Sequence, residues 1–151
     1  MDRFTKEPGM TLIVKTITRL TVGLILLFGI YIVLHGHVSP GGGFAGGVII
    51  ALSFIHIMLA YGRDFALKRF DQAKSSFLES FGAIMFLTIA VLGFLGGYFF
   101  FNFISKGEPF HLFSAGIIPL CNIAISFKVG AGLFGIFLAI VFLKVVPRSK
   151  R

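Results

Sequence analysis

The sequence has no tryptophan, a single cysteine and few charged residues for a chain of 151. Charged side chains make up 13% of it, about half the share found in soluble globular domains, which excludes an ordinary water-soluble protein. Because Cys121 is alone, an internal disulfide and a cysteine-ligated metal or iron–sulfur centre are also excluded. Disorder is excluded as well, since 56% of the residues are apolar and 15% are aromatic. This composition is typical of a chain whose solvent is mostly lipid.

The net charge of +8 raises the alternative of a nucleic-acid-binding protein. The Lys and Arg residues, however, lie in the gaps between long apolar runs, which is the pattern of cytoplasmic membrane flanks. No small-residue cleavage site follows the first apolar run, so we expect a retained anchor rather than a cleaved signal peptide. The distribution of charge therefore indicates that the chain contacts a lipid bilayer and does not bind nucleic acid.

Long stretches without Asp, Glu, Lys or Arg predict an all-α integral membrane protein of four transmembrane helices, in one domain over 1–151. The uncharged stretch 20–62 is too long for one helix, and Pro40 with three following glycines divides it. A single straight helix over 112–143 would be about 48 Å long, more than a bilayer core requires. We therefore expect an irregular or re-entrant segment there, before the last helix. The expected spans are about 15–35, 43–62, 80–103 and 125–146, with an interfacial connection over 63–79 and the irregular segment over 110–124.

The distribution of basic residues predicts the orientation. Twelve of the 14 Lys and Arg residues fall in the N-terminal segment, the middle connection and the C-terminal segment, whereas Lys106 and Lys128 belong to the opposite side. Cytoplasmic loops are enriched in Lys and Arg. We therefore expect a multi-pass protein of the cell (plasma) membrane, with both termini cytoplasmic.

A glycine-rich turn is the most unusual segment of the chain. It contains Pro40, Gly41, Gly42, Gly43, Phe44, Gly46 and Gly47. Three of its glycines match G-x-G-x-x-G, but an apolar helix precedes them, so the dinucleotide-binding interpretation is rejected. Two interpretations are open: a tight turn with close helix packing, in which Phe44 plugs the packing, or a backbone surface that contacts ions or a partner subunit.

Three histidines are candidates for proton transfer. His35 and His37 lie near the outer interface, where they either cap a helix end or relay protons. His56 lies in the second span, where we expect it to be buried and hydrogen-bonded to a neighbouring helix, with a role in an ion path as the alternative. No metal site is expected, because further ligands are missing near these residues.

Lys128 is the only basic residue between two long apolar runs, which makes it the main candidate for an ion path. The alternative is that it snorkels to the outer interface, only two or three residues away. Pro119 and Asn122 lie nearby, and a broken segment beside a lysine is similar to the discontinuous helices of transporters. We explain Glu79 by the favourable placement of an acid at a helix N-terminus. Ala131, Gly135 and Ala139 form a small-residue face for helix packing.

Two segments carry a family resemblance. The string LFGIYIVLHGHVSPGGGFAGGVIIAL, within 24–52, closely resembles a signature of the B subunit of multisubunit Na+/H+ antiporters of the Mrp or Mnh type. The string LFSAGIIPLCNIAISFKVGAGLFGIF, within 112–137, resembles the second signature of that family. Both segments occur in the expected order.

The resemblance implies an accessory subunit without catalytic activity or cofactor, working beside other membrane subunits that move Na+ and H+. Related modules occur in archaeal membrane-bound hydrogenases and sulfur-reducing complexes, and such a complex is the alternative host. Lys128 would then face the ion path or an acidic residue of a partner. A purely structural scaffold and a stand-alone channel are the other hypotheses.

Overall fold

The computed structural model describes residues 10–62, 72–108, 111 and 114–145. Its elements are α1 (Leu12–Leu34), α2 (Gly42–Tyr61), α3 (Gln72–Leu92), a short 3-10 turn (Gly93–Gly96) and α4 (Ile118–Val145). Four helical stretches are long and apolar enough to cross a membrane, and the described ranges contain no strand. The prediction of an all-α membrane protein with four transmembrane helices is confirmed.

The helices pack in the spatial order α1, α2, α4, α3. Helices α2 and α4 run parallel, because Gly43 lies against Asn122 and Gly47, one turn later, lies against Ser126. Helix α1 is antiparallel to α2, and the backbone N–H of Met10 donates to the carbonyl of Ala60 at 2.9 Å. The beginning of α1 and the ends of α2 and α4 therefore lie at the same end of the bundle.

The interior of the bundle is small and its outside is apolar. Phe134 and Leu138 of α4 are fully buried, and together with Met58 of α2 they form the hydrophobic core. Large apolar side chains such as Leu20 and Leu24 are instead two-thirds exposed. A chain with this outward apolar surface is suited to lipid or to neighbouring subunits rather than to water.

The bounds of the third helix differ from the prediction. It begins at Gln72, so residues 72–79 of the predicted interfacial connection belong to α3, while 63–71 lie outside the described residues. The helix also ends at Leu92, well before 103. The physical reason is a glycine-rich sequence: the 3-10 turn begins at Gly93, and Gly97 follows it with a φ of 103°.

The predicted irregular segment is also wrong over part of its length. Helix α4 begins at Ile118, so 118–124 is helical rather than broken. Pro119 lies in the first turn of the helix, where a missing N–H costs nothing because those groups have no intrahelical acceptor. Among the described residues of the predicted segment, irregular backbone lies at 111 and 114–117, where Ala115 and Gly116 have φ values of 72° and 65°.

Candidate functional site

The glycine-rich turn joins α1 to α2 and holds the start of α2 against α4. Gly41 and Gly42 have φ values of 136° and 64°, a backbone region that side chains disfavour. The N–H of Gly43 donates to Oδ1 of Asn122 at 3.2 Å, and a Cβ on Gly43 would lie 2.8 Å from the Cα of Asn122. Only glycine therefore allows the two backbones to approach this closely.

The next two glycines pack α2 on both of its neighbours. A Cβ on Gly46 would lie 2.9 Å from the carbonyl oxygen of Gly29 in α1. A Cβ on Gly47 would lie 3.0 Å from the carbonyl oxygen of Ser126 in α4. These contacts are the close helix approaches that small residues permit in membranes.

Two residues of the turn are placed on the outside. Phe44 is 65% exposed, so the expectation that it plugs the packing within this chain is wrong. One position after the buried Gly43, a side chain points about 100° away around the helix, and here that direction is outward. Pro40 is exposed in the turn, two residues before α2 begins.

The histidines do not form one cluster. Nδ1 of His35 lies 3.0 Å from the carbonyl oxygen of Tyr31, and the two rings stack at 4.1 Å, as expected for a helix end. Nε2 of His37 lies 3.0 Å from the carbonyl oxygen of His111. His56 is exposed on α2, so the expectation that it is buried against a neighbouring helix is wrong.

Two polar atoms near the turn are buried without a hydrogen bond among the described residues. They are Nδ1 of His37 and Nδ2 of Asn122. Since Oδ1 of Asn122 accepts from Gly43, its amide is oriented and Nδ2 is left as a free donor. The described residues include no group of three or more His, Cys, Asp or Glu residues suited to a metal ion.

Lys128 pairs with an acid of its own chain. Its Nζ lies 3.6 Å from Oε1 of Glu79 on α3, and the two side chains are 54% and 45% exposed. The ammonium group therefore points to Glu79 rather than snorkelling toward the outer end of α4. Sequence reasoning missed Glu79 as a partner, because it placed that residue at the cytoplasmic start of a helix.

The depth of the pair follows from helix geometry. Asn122 is level with the start of α2, because it binds Gly43. Lys128 lies six residues farther along α4, or about 9 Å at 1.5 Å per residue. The carboxylate of Glu79 lies beside Gly132, ten residues or about 15 Å from Asn122. As α2 spans about 30 Å, the pair lies between about three tenths and one half of the way along it.

A cavity of about 300 Å³ opens beside Glu79, between α3 and α4, and its lining is part polar and part apolar. We call it the polar groove, and its lining includes Ser75, Ser76, Glu79, Gly132, Gly135 and Ile136. The Oγ of Ser75 donates to the carbonyl oxygen of Ala131 at 2.7 Å and fixes α3 to α4. Of the predicted small-residue face, Ala131 thus binds α3 through its carbonyl oxygen, whereas Gly135 and Ala139 line the groove.

A second cavity, of about 250 Å³, is apolar and lies among all four helices. Leu26, Phe54, Leu78 and Phe134 are among its lining residues. The chain thus separates an apolar cavity from a polar groove on the other side of α4.

Comparison with known proteins identifies relatives over most of the chain. Residues 13–135 match the family described as a domain related to the MnhB subunit of Na+/H+ antiporter. The chain is 35% identical over 132 residues to the B subunit of the Na+/H+ antiporter of Bacillus subtilis, covering 86% of this chain and 85% of that protein. It is 44% identical over 117 residues to an uncharacterized protein of Methanocaldococcus jannaschii, covering 73% of this chain but 44% of that protein.

A solved structure shares the fold. A chain of the membrane-bound sulfane sulfur reductase, an archaeal respiratory membrane complex, superposes with a TM-score of 0.71 at 30% identity. The match covers 87% of this chain and 60% of the other. The present chain therefore spans less than two thirds of this relative and of the archaeal protein above.

Proposed function

This chain belongs to the family of domains related to the MnhB subunit of Na+/H+ antiporter, and from that membership we propose that it is an accessory subunit of such an antiporter. The similarity to the Bacillus subtilis protein supports this assignment, because it extends over 86% of one chain and 85% of the other. In this role the chain itself catalyses no reaction. It works with other membrane subunits, and Na+ and H+ are the ions that the assembly moves.

The observation that carries the accessory role is the outward position of the Glu79–Lys128 pair. A self-sufficient transporter needs ionisable groups along its interior. Here the buried polar side chains of the described residues are all uncharged: Thr18, Ser53, Ser75, Ser114, Asn122 and Ser126. The ion pair instead lies half-exposed on the outside of the bundle. Such an arrangement suits a subunit that contributes its charges to a surface shared with other chains.

The proposed orientation places both termini in the cytoplasm and the chain in the plasma membrane. Two observations support it: the first helix begins and the last helix ends at the same end of the bundle, and twelve of the 14 basic residues belong to the flanks predicted for that side. A cysteine accessibility assay with a membrane-impermeant thiol reagent at each terminus checks the orientation.

Purification of the chain from its native membrane in mild detergent tests the proposal. We expect several other membrane subunits to co-purify, and we expect Na+/H+ antiport in membrane vesicles to disappear when the chain is deleted and to return on complementation. The proposal is wrong if the chain purifies alone and conducts ions in a planar bilayer, or if deletion leaves antiport unchanged.

The same module in a respiratory complex is the second candidate function. The observation that favours it is the superposition on a chain of an archaeal respiratory membrane complex at a TM-score of 0.71. In such a complex this chain would carry no redox centre, because it has one cysteine. Co-purification of iron–sulfur or hydrogenase-type subunits would favour this second function over the antiporter.

A further inference from the structure

The polar groove between α3 and α4 is a surface that lipid alone is poorly suited to cover. We propose that it is the docking surface for one transmembrane helix of another subunit, a helix that carries a hydrogen-bonding side chain at the depth of the Glu79–Lys128 pair. This inference rests on the proposed function, since it presupposes a multisubunit assembly, and it specifies where the chain meets a neighbour.

Charge and depth are the first reason to expect a protein neighbour. The side chains of Glu79 and Lys128 are about half exposed while the pair lies well inside the span. Lipid tails offer no hydrogen bonds, so ionisable groups at this depth face protein or a water-filled cavity in nearly all membrane proteins. A protein neighbour with a polar side chain supplies the missing contacts.

The shape of the groove is the second reason. A Cβ added to Gly132 would lie 3.7 Å from the nearest atom, which belongs to Glu79. A Cβ added to Gly135 would lie 3.6 Å from the nearest atom, the Oγ of Ser75. A Cβ at either position would meet α3 only at ordinary van der Waals distance, so neither glycine is needed for α3 and α4 to pack as they do. This contrasts with Gly46 and Gly47, whose missing side chains accommodate α1 and α4. A glycine-lined surface that begins at the depth of the pair allows the backbone of another helix to approach closely.

The neighbour that fits best is a different chain rather than a second copy. A symmetric dimer would place the same surface patch on both partners, groove against groove. Two concave surfaces leave the space of about 300 Å³ in each copy unfilled. A convex helix from another subunit fills it. The outward residues of α1, such as Leu20 and Leu24, are apolar and could not match the polarity of the groove.

Site-specific photo-crosslinking in the assembled complex tests this inference. A photoreactive amino acid replaces Ile136, which lies in the groove and is 60% exposed. Cells are irradiated, the complex is purified, and the adduct is identified by mass spectrometry. We expect an adduct with a transmembrane segment of another subunit of the same complex. An adduct with a second copy of this chain, or with lipid alone, overturns the inference.

A glycine pair supplies a second, independent test. Gly135→Leu fills the groove, whereas Gly23→Leu is the matched control, because no atom lies within 4 Å of a Cβ at Gly23. We expect the first variant to lose co-purifying subunits while its own level in the membrane and its unfolding midpoint in SDS are unchanged, and the second to retain them. Equal retention in both overturns the inference. If the complex assembles and transports ions while the probe at Ile136 crosslinks only to lipid, the proposed docking surface is refuted. The proposed function would still stand.

Discussion

Replacement of Gly43 by alanine is the sharpest test of the packing between α2 and α4. The new methyl group would meet the Cα of Asn122 at 2.8 Å and the carbonyl carbon at 2.9 Å, well inside van der Waals contact. Because these are backbone atoms, the two helices must separate. Overpacking of this kind costs about 1–3 kcal/mol, and the hydrogen bond from Gly43 to Asn122 is worth about 0.5–1.5 kcal/mol more. Replacing glycine by alanine in a helix stabilises the helix by about 0.5–1 kcal/mol. We therefore expect the free energy of unfolding to fall by about 2 kcal/mol in total.

The assay is unfolding of the purified chain in mixed micelles with increasing SDS, followed by far-UV circular dichroism. Gly23→Ala is the matched control, because its methyl group enters open space and the substitution should be neutral or slightly stabilising. If Gly43→Ala is as stable as Gly23→Ala, the close approach of α2 and α4 is refuted.

The same contacts give three further predictions. Glu79→Gln, Lys128→Met and the double variant form a thermodynamic cycle, for which we expect a coupling of about 0.5–1 kcal/mol; additive losses would show that the pair is not formed. Asn122→Ala leaves the N–H of Gly43 without its acceptor and should lower the free energy of unfolding by about 1–3 kcal/mol, measured in the same SDS titration; an unchanged midpoint would contradict the hydrogen bond. Pro119→Ala should change stability by less than about 1 kcal/mol, because a proline ring is tolerated in the first turn of a helix; a large gain would place the proline inside the helix instead.

The spans were predictable where charge and glycine define them. The prediction of 43–62 for the second span agrees with α2 at Gly42–Tyr61 to within one residue, because Pro40 and the glycines end one helix and begin the next. The start of α3 was not predictable in the same way. Lys74 and Glu79 are charged, so the sequence alone favours an interfacial segment, whereas the helix continues through both.

The beginning of α4 shows a second limit of sequence reasoning. A proline breaks a helix when it lies in the helix interior, but it is well accommodated in the first turn. The sequence does not show which of these two cases applies to Pro119. A helix that begins at Ile118 also places Lys128 deeper in the span than a helix beginning at 125 would. Lys128 therefore lies farther from the outer end of its helix than the two or three residues expected from the sequence.

The candidate site depended on contacts between distant parts of the chain. Lys128 was singled out from its apolar surroundings, but its partner Glu79 lies on another helix and becomes visible only once α3 and α4 are packed. The sequence leaves open whether the glycines of the turn serve close packing or contact ions or a partner subunit, and it does not indicate their partners within the chain, Asn122 among them. No sequence signal indicates that His56 faces outward, since every face of α2 is apolar.

The central claim is that the outward Glu79–Lys128 pair contributes to a surface shared with the transporting subunits. Antiport by the assembled complex carrying Lys128→Ala tests this claim most directly. Na+/H+ exchange is measured in membrane vesicles, and the amount of assembled complex is quantified in the same preparation. We expect exchange to fall strongly while the complex is still recovered, because the outward ion pair contributes its charge to a surface shared with the transporting subunits. Unchanged exchange with full assembly would contradict this claim and would leave the chain a packing scaffold.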